Sequence, residues 1–140
     1  MLRHVLDQQL HVGVLDTSVI IDLTRIQRDL LPNEFAVSAI TMAELAAGPH
    51  ATLDAEERAR RQDLLQRVEA SLDPLPFDTE AARAFGRLYA SVYKQGNKAR
   101  GSRALDLMIA ATAMSHRMPL YTRNPQDFSA IVGLVEIISV

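Results

Sequence analysis

The chain has 140 residues, a formal net charge of −2, 48% hydrophobic residues and no cysteine. That length and apolar content suit one domain with a sizeable core. The charge balance gives no overall basic signature of a nucleic-acid binder, and the lack of cysteine excludes disulfides and thiolate metal sites. No apolar run approaches the ~20 residues needed to span a bilayer. The start lacks a basic stretch followed by an apolar one, so a secretory signal is not expected and a reducing cytoplasm is.

Residues 1–10 read as a loose lead-in. A first strand spans 12–15, then a helix over 18–27, with Asp16 or Thr17 able to cap its free N–H groups. Leu31, Pro32 and Asn33 punctuate the connection to a second strand at 35–38. Ser38 or Thr41 opens a helix that runs to Ala47 and is stopped by Gly48 and Pro49. Asp54 caps the next helix, which reaches Leu72 with Leu64, Leu65, Val68 and Leu72 along one face. Residues 73–77 hold two prolines, so they suit only a short extended piece at a sheet edge.

Asp78 or Thr79 caps a helix reaching Tyr93, with Ala82, Phe85, Leu88, Tyr89 and Val92 inward. A polar, basic loop with Gly96 and Gly101 follows. The helix over 104–116 is apolar almost all round, which marks it as buried on most sides. Strands at 119–122 and 134–138, separated by a turn at 123–128, complete the chain. Strands alternate with helices throughout, which argues for an α/β domain over 1–140, its mainly parallel sheet of four to five short strands covered on both faces.

Four acids fall where such a fold gathers them. Asp16, Glu44 and Asp127 each follow a strand end, and Asp106 opens the helix that feeds the strand at 119–122. In an open parallel sheet that edge borders the ligand crevice. Each acid also has a local reading. Asp16 can cap a helix, Glu44 can complete a capping box with Thr41, Asp106 can favour a helix dipole, and Asp127 can serve a turn beside Asn124 and Pro125. Four converging carboxylates would repel one another, and a hard divalent cation, magnesium or manganese, is the simplest compensation. No Ser–His or Cys–His arrangement supports a covalent route. The basic stretch just before Asp106, with Lys94, Lys98, Arg100 and Arg103, is the best local patch for a phosphate backbone, with Arg123 a second candidate.

Four segments, VLDTSVI at 14–20, SAITMAELAAG at 38–48, DLMIAA at 106–111 and TRNPQDF at 122–128, come in an order that resembles the PIN-domain ribonucleases, specifically the VapC-type toxins of bacterial toxin–antitoxin pairs. The resemblance implies a three-layer α/β/α PIN-like fold. It makes Asp16, Glu44, Asp106 and Asp127 the catalytic, metal-binding set, with polar support from Thr17, Ser18, Thr122 and Asn124. It further implies a Mg2+- or Mn2+-dependent endoribonuclease, an RNA substrate, a small cognate antitoxin, and a homodimer or toxin–antitoxin hetero-oligomer. The rival reading within the same fold is a catalytically silent PIN-like module that binds RNA or protein. A phosphotransfer domain of receiver type also gathers acids at strand ends, but the first strand here lacks a preceding acidic pair and no lysine follows a late strand.

If the loop before Asp106 holds the RNA backbone, Lys98→Ala with Arg100→Ala weakens RNA binding. The slope of log affinity against log salt then falls by roughly 1 to 2. An unchanged slope in a filter-binding titration would make that loop a plain connection.

Overall fold

The computed structural model describes residues 11–140, so the expected lead-in at 1–10 lies outside the described residues. Four strands, β1 (Val12–Leu15), β2 (Glu34–Ala36), β3 (Leu120–Thr122) and β4 (Ile137–Ser139), form one sheet in the order β2-β1-β3-β4. Every pairing is parallel, with Val14 opposite both Ala36 and Leu120, and Tyr121 opposite Ile138. The expected edge piece is a single bridge, Leu75 to Ser38, rather than a strand. Its two prolines leave few N–H groups for a longer ladder.

Five α-helices are described: α1 (Thr17–Ile21), α2 (Ala39–Ala47), α3 (Ala55–Ser71), α4 (Thr79–Lys94) and α5 (Ser102–Ser115). The sheet alternates across its plane, as strand geometry requires. Val14 and Leu120 pack on α4 and α5 with Leu88, Ile109 and Ala110. Leu15 and Tyr121 face the other way, against Val19, Ile20, Leu45 and Val68. Two apolar layers thus enclose the strands, which makes the molecule three layers deep.

Two expectations need correction. The first helix ends at Ile21, and the chain continues as two short 3₁₀ turns, Leu23–Arg25 and Arg28–Leu30. Ile26 is still buried, because a chain folding back over the core meets the same apolar spacing as a longer helix. On α4 the inward stripe is Ala81, Ala84 and Leu88, whereas Ala82 and Tyr89 are exposed. Ala84 and Leu88 share one core cluster with Leu107, Ile109 and Ala110 of α5.

β1 and β3 also require a particular glycine. A Cβ on Gly13 would collide with the edge of the Tyr121 ring, 2.7 Å from its Cδ1, and would sit 3.2 Å from Pro32 Cγ. The Tyr121 side chain is only 5% exposed, so relieving the clash means shifting a buried ring, and Gly13→Ala should destabilise the fold by about 1–3 kcal/mol in urea denaturation. A loss under about 0.5 kcal/mol would show that the ring can move aside.

Candidate active site

The parallel strands deliver their C-terminal ends to one edge, and the four acids lie there. Asp16 directly follows β1 and is 4% exposed. It precedes α1, yet its side chain makes no capping bond. Its Oδ2 instead accepts from Ser18 Oγ at 2.8 Å and Thr122 Oγ1 at 2.8 Å. Those hydroxyls in turn accept backbone N–H groups, Ser18 from Arg123 at 3.2 Å and Thr122 from Asn124 at 3.0 Å. One carboxylate oxygen therefore ties β1 and α1 to the turn after β3.

Glu44 lies in α2, half-buried. Ser38 is the cap of that helix, its side chain accepting from Thr41 N–H at 3.0 Å, so the capping-box reading of Glu44 does not hold. Thr17 Oγ1 donates to Glu44 Oε1 at 2.8 Å and lies 3.0 Å from Thr41 Oγ1. Burial pushes the Glu44 carboxyl up, the Thr17 hydrogen bond pulls it down, and the charge of Asp16 pushes it up again.

Asp106 is half-buried inside α5, past the first turn, so a helix-dipole role does not explain it. Its carboxyl is pushed up to about 7, first by burial and then by the charges of Asp16, Asp127 and Glu44, with Arg103 opposing. Asp127 is exposed in the first turn of a 3₁₀ helix, Pro125–Ile131, and its N–H bonds to Asn124 O at 3.1 Å. The other three acids thus stand within Coulombic reach of Asp106. Among the described residues no three of them close into a ready-formed cage. Oxygen-only donors and mutual repulsion fit a hard divalent cation, which would relieve that repulsion.

The supporting residues divide by role. Thr17, Ser18 and Thr122 contact the acids directly, whereas Asn124 contributes its backbone N–H and leaves its side chain exposed. Lys94, Lys98, Arg100 and Arg103 are all exposed beside the Asp106 end of α5. Arg123 is partly committed, its Nε 3.5 Å from Asp22 Oδ2. Thr41 was legible in the sequence only as a possible cap. Its buried position one helical turn before Glu44 is the signal for its second contact.

A groove of about 1010 Å³ starts at Thr17 and Glu44 and runs between α1 and the α2–α3 hairpin. Its floor includes Ile20, Leu45, Leu64 and Val68. Arg61 braces one wall, with Nη1 donating to Gly48 O at 2.9 Å and Nε to Glu57 Oε1 at 3.0 Å.

The raised Asp106 carboxyl makes a pH prediction. Its unfolded value is near 3.8 and its folded value about 7, so between them the folded chain holds a proton that the unfolded chain releases. Stability from this group is therefore lost as pH rises through that window. Without metal, Asp106→Asn should raise the melting temperature at pH 8 by about 2 °C or more, with little effect at pH 4. A difference that stays constant across pH would mean that neither burial nor the neighbouring charges raise the Asp106 carboxyl.

Comparison with known proteins agrees with this fold. A family model described as PIN domain matches residues 13–134. The chain is 38% identical over 133 residues to Ribonuclease VapC5 of Mycobacterium tuberculosis, covering 91% of this chain and 95% of that protein. It is 30% identical over 131 residues to Ribonuclease VapC of Rickettsia bellii, covering 91% and 95%. The crystal structure of VapBC-5, a member of the VapBC family of toxin–antitoxin systems from Mycobacterium tuberculosis, superposes with a TM-score of 0.79 at 38% identity, covering 93% of this chain and 99% of that one. The chain belongs to the PIN-domain family, as a VapC-type member.

Proposed function

We propose that this protein is the toxin of a toxin–antitoxin pair, an endoribonuclease that hydrolyses RNA at the edge bearing Asp16, Glu44, Asp106 and Asp127. The observation that carries the reading is that Asp16 and Glu44 stand at the carboxyl edge of the parallel sheet of a PIN-family chain, each carboxylate held by a neighbouring hydroxyl. The names of its relatives support the ribonuclease activity.

Asp16, Glu44, Asp106 and Asp127 would hold magnesium or manganese. Bound there, the ion supplies charge neutralisation at the phosphodiester and activation of the attacking water. The water oxygen bonds to phosphorus, the P–O3′ bond breaks, and the proton lost by water balances the one gained by the leaving 3′-oxygen. The products are a 3′-hydroxyl and a 5′-phosphate.

The protein's own part is orientation. Two hydroxyl donors fix Asp16, and one fixes Glu44. Buried, hydrogen-bonded carboxylates need no reorganisation during reaction, which is where preorganised sites gain most. Lys94, Lys98, Arg100 and Arg103 offset the repulsion between an acidic pocket and a polyanion. The serine and threonine hydroxyls nearest the acids donate to carboxylates and have no histidine base among the described residues, so they are supports rather than nucleophiles.

The groove beside the site suits the antitoxin. The matched crystal structure is of a toxin–antitoxin system, and an amphipathic partner helix fits an apolar groove of this kind. Because the groove begins at Thr17 and Glu44, a partner lying in it also covers one side of the acids.

Two measurements test the reading together. Millimolar Mg2+ or Mn2+ should raise the melting temperature, since a ligand bound only to the native state stabilises it, by about 2.7 kcal/mol at a hundredfold excess over Kd. Asp16→Asn or Asp106→Asn should lower RNA cleavage by at least about 100-fold with the fold retained. Full cleavage by both variants would remove these acids from the chemistry, whereas no cleavage by the unaltered chain would favour the silent binding module.

A further inference from the structure

We propose that Ser91 and Gln95, on the last turns of α4, are positioning residues for Asp127. The inference rests on Asp127 belonging to the metal-holding set.

Asp16 and Glu44 are fixed by hydroxyls on their own carboxylates. Asp127 is placed differently. It is exposed, and its location follows from the 3₁₀ helix Pro125–Ile131 that carries it. A 3₁₀ run of seven residues exceeds the three or four such a helix ordinarily sustains, because its hydrogen-bond geometry is poor. Something outside the helix therefore has to hold it.

Two contacts do so. Phe128 and Ile131 bury their side chains in the core. At Ala130, three residues past Asp127, one backbone carbonyl accepts Ser91 Oγ at 2.7 Å and Gln95 Nε2 at 2.9 Å. A carbonyl oxygen has two lone pairs, so it can take both donors at once. The pair forms a clamp from α4 to the segment bearing Asp127, across 39 and 35 residues of chain.

The clamp also sits at a junction. Gln95 is the C-cap of α4 and the first residue of the basic loop that leads through Gly101 into α5 and Asp106. Holding Ala130 from Gln95 therefore sets the Asp127 segment relative to the chain that carries Asp106 and the cations Lys98 and Arg100. Removing the clamp should leave the core intact and let Asp127 drift, which weakens cation binding more than it weakens folding.

The test uses the full chain and Mn2+ alone, titrated against melting temperature. Ser91→Ala with Gln95→Ala should raise the half-saturating Mn2+ concentration about 3- to 10-fold, below the 10- to 100-fold range of partners that touch a ligand directly. Ser91→Ala alone gives a smaller rise and keeps the test open if the double variant does not fold, and Ser91→Thr, which keeps the hydroxyl, restores the original value. In an Asp127→Asn background the double change adds nothing, because the group it positions is gone. An unchanged half-saturation in the wild-type background, or an equal rise in both backgrounds, overturns the proposal. If Asp127→Asn alone leaves half-saturation unmoved, Asp127 is not in the metal set and the proposal falls with that assignment.

Discussion

The structure depends on how one buried carboxylate is satisfied. Asp16 is 4% exposed, and a carboxylate at that depth is costly unless hydrogen-bonded. Ser18 and Thr122 supply the bonds, both to Oδ2, and the amides of Arg123 and Asn124 complete those hydroxyls. The network spans residues about a hundred positions apart in sequence. It fixes where the chain leaves β1 and where it leaves β3, and therefore where Asp127 begins its own approach. The other Asp16 oxygen takes no part in these two bonds.

That arrangement stores a tension. Asp106 is held half-buried among three negative charges, with Arg103 as the opposing cation. Nothing about helix α5 alone calls for an acid there, since its neighbours Leu107, Ile109 and Ala110 are core. Folding stability would favour an apolar residue or an amide at that position. Retaining a carboxylate makes physical sense when a cation completes the site.

Much of this was legible from residue order. β1 has its expected bounds because an apolar run ends sharply at Asp16. Asp54 and Asp78 cap α3 and α4, because short acidic side chains accept the free N–H groups of a helix start. The misreadings share a cause. Apolar spacing after Val19 suggested a long helix, but Ile26 reaches the core through 3₁₀ turns. Ala82 and Tyr89 were expected inward, but α4 is rotated so that Ala81 and Ala84 are buried and Tyr89 is exposed. For the site, the acids could be found by their positions after strands. Whether each was a cap or a converging group required the third dimension, which shows Ser38 and not Thr41 at the start of α2. The clamp on Ala130 had no sequence signal, since Ser91 and Gln95 read as ordinary polar positions on a helix.

The central claim is that the four acids bind a divalent cation. Anomalous diffraction from crystals of the full chain soaked in Mn2+ tests it directly. The account predicts a manganese peak among the carboxylates of Asp16, Glu44, Asp106 and Asp127. Crystals at saturating Mn2+ that show no peak among these carboxylates, or a peak held by other residues, would contradict it.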